Sequence, residues 1–302
     1  MSILNLASDG LPNVLVVLYD ALARNARPVA RDELLETVAP KGVANEDGKQ
    51  ARQTLGRWIE LGLFVEGSDG VELAQRPGQR LDNDAALVSQ VRNAARDRAM
   101  HPDNNVDLWA TEGSRAADFT KSIAWVLAQD VYRPLYANLE ILERSQLVDG
   151  TPALMQNNTR RSGLKAWGQF LGFLRPVLKA EIEVDPTVAI RDVLPSLLQP
   201  GQNMPVANFI DDLAAKLPVL DGGAWRREMQ SHIRPEALPP MAQGQLSSSL
   251  SRALLNLMRN EEIFLENRAD TRSGVVFTGQ VGVRTDLRFT WIRCAEAGRS
   301  AA

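Results

Sequence analysis

Residues 48–73 read GKQARQTLGRWIELGLFVEGSDGVEL, a helix-forming run that leads directly into two short apolar runs. The spacing of its apolar residues is that of an amphipathic helix over Gly48–Leu61, with these side chains facing inward: Ala51, Leu55, Trp58 and Ile59. The apolar runs 63–65 and 71–73 flank the sequence GSDG, whose residue types favour a tight turn. The segment therefore predicts a helix followed by a β-hairpin.

Two further helices are predicted before this segment. Apolar residues recur at helical spacing over Leu11–Arg24 and again over Arg31–Ala39, and Pro40 and Gly42 end the second helix. Three helices followed by a hairpin is the order of a winged helix-turn-helix, a fold that contacts DNA or a protein partner. We therefore predict a winged helix over residues 1–77.

The remainder of the chain has a mainly helical pattern, which predicts a helical middle domain over residues 78–222. A proline at position 176 is expected to interrupt or kink the fourth of its helices. The predicted helices are Ala85–Met100, Ser114–Asp130, Leu135–Leu147, Asn158–Lys179, Val188–Leu197 and Val206–Leu217.

The N-terminal order recurs near the C-terminus, which predicts a second winged helix over residues 223–302. The expected elements are helices over Ala224–Ile233, Pro235–Met241 and Gln245–Asn260, a hairpin between 263–265 and 275–277, and a last strand over Leu287–Ile292. The predicted fold class is thus mainly α, with a winged helix at each end of a helical middle domain.

The sequence contains no recognised catalytic or cofactor-binding motif. Its two histidines, His101 and His232, and its one cysteine, Cys294, do not make an ordinary zinc site. There is no phosphate-binding glycine loop and no nucleophile elbow. The adjacent carboxylates at 211–212 and 261–262 are expected on solvated positions. We therefore expect a protein that is not an enzyme and has no cofactor or metal.

A single cysteine excludes an intrachain disulfide and favours a reducing compartment. Residues 1–13 lack the basic start and apolar run of a secretory signal. The apolar run Val14–Tyr19 is too short to span a bilayer. We therefore expect a cytoplasmic protein with no membrane partner.

The third predicted helix presents polar and basic side chains that suit phosphates and base edges: Lys49, Gln50, Arg52, Gln53 and Arg57. However, the first 75 residues hold seven basic and eleven acidic side chains, which disfavours a general DNA clamp because phosphate neutralisation dominates affinity. The helix is therefore a candidate for contact with DNA or, alternatively, with a protein.

A second basic segment lies within Thr151–Ala180, which contains no Asp or Glu. Its candidate DNA-binding residues are Arg160, Arg161 and Lys165. Trp167, Phe170 and Phe173 are interleaved with these bases and could stack on nucleobases. The alternative is that the aromatic side chains form core while the bases are solvated.

In the predicted C-terminal winged helix, the candidate DNA-binding residues are Arg252, Asn256 and Arg259. Together with serines at 247, 248 and 251 they are expected on the outer face of its long helix.

The runs Arg52–Trp58 and Leu61–Phe64, together with Ser2–Asn5, the chain length and the arginine-rich C-terminal strands, resemble the DpdG family. These are accessory proteins of bacterial clusters that place 7-deazaguanine derivatives in DNA and restrict unmodified DNA. The resemblance implies a phage-defence setting with ATPase, helicase or nuclease subunits as partners. It offers no catalytic residues to carry over.

The resulting hypothesis is a non-catalytic adaptor that contacts double-stranded DNA and docks other subunits of a defence system. One alternative is a protein-interaction scaffold without DNA contact. Another is a winged-helix transcriptional regulator of a defence locus, which requires a dimer and a palindromic site.

Overall fold

The computed structural model describes residues 3–4, 11–43, 48–78, 82–109, 115–133, 139–155, 157–176, 183–268 and 274–296. These residues are mostly helical, with small antiparallel sheets. Ser114, Leu135 and Lys179, at which predicted helices begin or end, lie outside the described residues, as do Ser2 and Asn5.

The helices are α1 Pro12–Ala23, α2 Arg31–Val38, α3 Lys49–Glu60, α4 Asp84–Met100, α5 Ala117–Ala128, α6 Leu139–Gln146, α7 Asn158–Phe170, α8 Thr187–Leu197, α9 Val206–Lys216, α10 Ala224–Ser231 and α11 Ser248–Arg259. The strands are β1 Phe64–Gly67, β2 Gly70–Leu73, β3 Leu174–Arg175, β4 Glu183–Val184, β5 Asn203–Pro205, β6 Ile263–Glu266, β7 Val275–Gly279, β8 Gly282–Phe289 and β9 Trp291–Cys294. None of these helices combines the length and apolarity needed to cross a membrane.

The chain divides into two compact units. The first unit comprises Met1–Thr120 and Gln156–Leu171, and the second comprises Lys121–Met155 and Gly172–Ala302. These borders differ from the predicted ones after residues 77 and 222. One border falls inside α5, so this helix contributes to both units.

The three N-terminal helices and the hairpin begin and end within two residues of the predicted bounds. On α3, the predicted inward residues Ala51, Leu55 and Trp58 are buried, whereas Ile59 is only partly buried. Val29 adds a short antiparallel bridge to Val71 of β2. Local hydrophobic periodicity therefore accounts for this part of the fold.

The hairpin approaches the backbone before α2 so closely that only glycine fits at the first residue of β2. Gly70 has a φ of +126°, and a Cβ atom there would lie 2.4 Å from the carbonyl oxygen of Val29. Because glycine has no Cβ, it allows both the conformation and the approach. Gly70 thus positions the hairpin against Val29.

The predicted helix over 158–179 is wrong from Leu171 to Pro176, where the described part of this range ends. Helix α7 ends at Phe170, and Gly172, with a φ of +84°, turns the chain into β3. A positive φ after the last helical turn is a common helix stop, and glycine adopts it without a Cβ penalty. Pro176 therefore follows a strand and kinks no helix.

The predicted helix over 235–241 is also wrong, because this stretch forms turns. It contains Pro235 and the pair Pro239–Pro240, which remove the N–H donors that a short helix needs. The long helix that follows is present as α11.

The C-terminal strand pairing differs from the predicted hairpin. β6 pairs with β9 in a three-stranded sheet of order β5-β9-β6, whereas β7 pairs with β8. The predicted strand over 287–292 is interrupted at Thr290, between β8 and β9. The N–H of Thr290 donates to the carbonyl of Glu266 (2.8 Å), and its hydroxyl accepts from the N–H of Arg268 (2.8 Å). These bonds join β6 to β9 and leave β7–β8 as a separate hairpin.

Candidate nucleic-acid interface

The start of α3 is a polar and basic surface. Lys49, Gln50 and Arg52 are exposed, and Gln53 is partly buried. The helix follows Gly48, whose φ is +74° and whose Cβ position is 3.0 Å from the Cβ of Ala39 after α2. Gly48, at the start of α3, therefore packs closely against Ala39, at the end of α2.

Arg57, which was expected on the outer face of α3, is buried, with 5% of its surface exposed. It follows Thr54 by three residues, so the two side chains lie on the same side of the helix, and Thr54 is fully buried. The exposed basic surface of α3 is therefore restricted to its first half.

The hairpin that follows α3 carries acidic side chains. Glu66 on β1 pairs with Arg31 at the start of α2 (2.6 Å), and Glu72 on β2 pairs with Arg76 (3.7 Å). The turn itself contains Asp69. Residues 63–73 contain no Lys or Arg, so the hairpin offers no cation to a phosphate.

The second basic segment separates into two different environments. Arg160, Arg161 and Lys165 are partly exposed on α7 in the first unit, where Arg161 also donates to the side chain of Asn158. Arg175, later in the same segment, lies on β3 in the second unit and pairs with Glu183 (2.6 Å).

The aromatic residues of this segment are mainly core. Trp167 is 3% exposed and packs against Trp58 with ring centroids 5.3 Å apart. Phe173 is fully buried, and Phe170 contacts Trp167 edge-on at 5.9 Å. Trp167 and Phe173 are therefore not available to stack on bases.

The expectation of an outward basic face on α11 is wrong for most of its residues. Arg252 pairs with Glu183 of β4 (2.6 Å), and the side-chain amide of Asn256 donates to the hydroxyl of Thr187 in α8 (3.3 Å). Both side chains are partly buried, whereas Arg259 at the end of the helix is exposed. The outer face of α11 is thus partly covered by α8 and β4.

The serines on α11 are buried hydrogen-bonding groups. The Ser251 hydroxyl accepts from the N–H of Thr278 (2.9 Å), and the Ser248 hydroxyl accepts from the N–H of Val131 (3.0 Å). The Ser249 hydroxyl donates to the carbonyl of Leu127 (2.8 Å). Small polar side chains satisfy backbone groups of neighbouring segments here, which the helical pattern alone does not reveal.

Glu183 stays ionised between two arginines. Burial raises its pKa, but hydrogen bonds from Arg252 and Arg175 outweigh burial and hold the pKa below its usual range. The ion pairs of Glu183 with Arg175 and Arg252 stabilise the second unit, and they engage the Arg252 side chain.

Sequence reasoning missed one group of residues on the C-terminal sheet. The guanidinium of Arg268 lies 4.2 Å from the ring centroid of Trp291, and that of Arg293 lies 4.3 Å from the ring of Phe264. The alternation Trp291-Ile292-Arg293 is visible in the sequence, but only the pairing of β6 with β9 shows that these residues are neighbours.

Within the described ranges, no three His, Cys, Asp or Glu side chains form a group that could hold a metal ion. Cys294 lies partly exposed on β9, and burial raises the pKa of its thiol. The thiolate, which is the nucleophilic form, is therefore disfavoured there.

Comparison with known proteins gives one result. A profile of the family described as DpdG-like matches residues 1–271. No curated protein and no solved structure matches the chain. The chain therefore belongs to the DpdG-like family, and this membership suggests association with the Dpd modification system.

Proposed function

We propose that this chain is a non-catalytic accessory subunit of the Dpd system whose N-terminal winged helix contacts double-stranded DNA through the first half of α3. The observation that carries the proposal is the exposure of Lys49, Gln50 and Arg52 at the start of the third helix, directly before a hairpin. In helix-turn-helix proteins, the N-terminal residues of the recognition helix contact base edges.

The side-chain types at this position support direct contact with DNA. Arginine pairs with guanine and glutamine pairs with adenine in the major groove, and lysine binds phosphates. The order α1-α2-α3-β1-β2, with Val29 paired to Val71, supports the assignment of a winged helix to these residues. The first half of α3 would then lie in the groove, with the hairpin beside it.

The same surface explains why the chain acts with other subunits. It contains few exposed cations, and the hairpin that follows α3 is acidic. Because phosphate neutralisation supplies most nonspecific affinity, the module binds DNA weakly by itself. Partner subunits with ATPase, helicase or nuclease activity would add the remaining contacts and the chemistry.

Fluorescence anisotropy with a labelled duplex at low salt tests this proposal. The double variant Lys49→Gln/Arg52→Gln is expected to bind about tenfold more weakly or worse, since a good base contact contributes about 1–3 kcal/mol. The matched control Arg24→Gln/Arg27→Gln removes the same charge from exposed positions at and after the end of α1. Equal affinity of the two double variants for the duplex would exclude the α3 contact.

A second candidate function is a protein-interaction scaffold. It is favoured by the hairpin, where Val65 is 48% exposed beside the acidic residues Glu66 and Asp69. If the wild-type chain does not shift a labelled duplex at micromolar concentration and low salt, this function replaces DNA contact. A Val65→Ser variant would then weaken binding to a purified partner subunit.

A further inference from the structure

We propose that the outer face of the β5-β9-β6 sheet in the second unit binds single-stranded nucleic acid by stacking unpaired bases on an aromatic and arginine surface. This site differs from the first half of α3 in position, in ligand and in mode of recognition. Four side chains define it, and we call them the sheet-face cluster: Phe264, Arg268, Trp291 and Arg293.

Strand register places three of these residues on one face. In the β6–β9 pair, Phe264 lies opposite Arg293, and Trp291 lies opposite Glu266. Residues opposite each other in an antiparallel pair point to the same side, and alternate residues point to the other. Ile263 and Ile292 occupy the other face and are fully buried. The cluster is therefore on the face opposite the core.

β5 extends the same face on the other side of β9. Asn203 lies opposite Arg293, and Pro205 lies opposite Trp291. The cluster residues remain partly exposed. The face thus presents two aromatic rings on adjacent strands, with a polar residue and a proline at its edge.

Each ring carries a guanidinium within the range of a cation–π contact, which extends to about 6 Å from the centroid. Arg268 lies 4.2 Å from the Trp291 centroid, and two bonds to Glu266 (3.0 and 2.9 Å) hold it there. Arg293 lies 4.3 Å from the Phe264 centroid. Arg268 and Arg293 are positively charged and Glu266 is negatively charged, so these three residues together carry a net positive charge.

This combination fits unpaired bases in particular. Single strands bind to positively charged surfaces whose aromatic side chains stack on successive bases, and bases also stack on arginine guanidinium planes. In a duplex the faces of the bases are already stacked on each other. Phe264 and Trp291 are diagonal neighbours, for which the separation is about 7–8 Å, so one strand can place a base at each ring.

Fluorescence anisotropy of labelled single-stranded oligonucleotides tests this proposal with the whole chain. One arm of the experiment uses oligodeoxythymidine and the other uses oligouridine. The variant Arg268→Gln/Arg293→Gln should weaken binding about tenfold, and Phe264→Leu should weaken it roughly fivefold or more while conserving an apolar side chain. The matched control Arg227→Gln/Arg284→Gln removes two exposed arginines from the same unit, outside this face. It should retain wild-type affinity, and the two arms distinguish DNA from RNA.

Two results would overturn the proposal. One is the absence of wild-type binding to either oligonucleotide at low salt, and the other is equal affinity of the cluster variant and the control. Urea unfolding of each variant shows whether the second unit is intact. Lys49→Gln/Arg52→Gln should leave single-strand binding unchanged, whereas the cluster variants should leave duplex binding by α3 unchanged. Failure of either site is therefore distinguishable from failure of the other.

Discussion

Replacement of Gly70 by alanine should destabilise the N-terminal unit more than any other single methyl addition to its hairpin. The φ of Gly70 is +126°, and the added Cβ would lie 2.4 Å from the carbonyl oxygen of Val29. This oxygen cannot move independently, because it accepts the N–H of Val71 (2.8 Å), and the N–H of Val29 donates to the carbonyl of Val71 (2.9 Å).

The expected magnitude follows from two contributions. A non-glycine residue held in a sparsely populated region of backbone conformation costs about 1–3 kcal/mol. Displacement of the Val29 backbone breaks the two hydrogen bonds to Val71, and each bond contributes about 1 kcal/mol. The free energy of unfolding should therefore fall by about 3–5 kcal/mol in Gly70→Ala.

Urea unfolding followed by tryptophan fluorescence measures this change, since Trp58 is buried in the same unit. Gly67→Ala is the matched control, because Gly67 lies opposite Gly70 in the hairpin and a Cβ there would meet no atom within 4 Å. The control should change stability by less than about 1 kcal/mol. A Gly70→Ala variant as stable as Gly67→Ala would refute the close approach of the hairpin to Val29.

Two carboxylates of the second unit should give opposite pH dependences. Glu143 accepts the N–H groups of Leu154 and Met155, and burial raises its pKa. A raised folded-state pKa gives stability that is present below the unfolded pKa of about 4.3 and lost as pH rises through the folded value. As pH rises through the folded-state pKa, the free energy of unfolding of Glu143→Gln should therefore increase relative to that of wild type. Urea unfolding at several pH values measures this, and a difference between variant and wild type that does not change with pH would contradict the prediction. Glu183, whose pKa is lowered by its arginines despite burial, contributes stability above the unfolded pKa that is lost at lower pH. Glu183→Gln should lower the free energy of unfolding by about 1 kcal/mol at pH 7. This loss should become smaller as pH falls through the lowered pKa of Glu183. An equal loss at every pH would contradict the ion pair with Arg252.

Local signals predicted the first helices and the hairpin because their determinants are close in sequence. Helix α3 is specified by the spacing of Leu55 and Trp58, and the hairpin by the turn residues after Gly67. A helical pattern does not show which part of a partly polar face a neighbouring element covers. Arg57 was therefore expected outside, although it lies beside the buried Thr54.

Non-local pairing explains the remaining errors. The sequence places β6 next to β7, but the buried Thr290 joins the strand after β8 to β6 through bonds to Glu266 and Arg268. Nothing within either segment indicates this pairing, which joins residues more than twenty positions apart. The partner of Arg252, Glu183, is even more remote in sequence. The sheet-face cluster was missed for the same reason.

The salt dependence of duplex binding tests the contact between α3 and DNA most directly. Each phosphate-neutralising cation contributes about 0.9 to the slope of log K against log salt concentration for B-form DNA. Lys49 is proposed to neutralise a phosphate and Arg52 to contact a base edge, so their replacement by glutamine should reduce that slope by about 0.9, whereas Arg24→Gln/Arg27→Gln should leave it unchanged. A wild-type slope in the Lys49→Gln/Arg52→Gln variant, with undiminished affinity, would contradict DNA contact by α3.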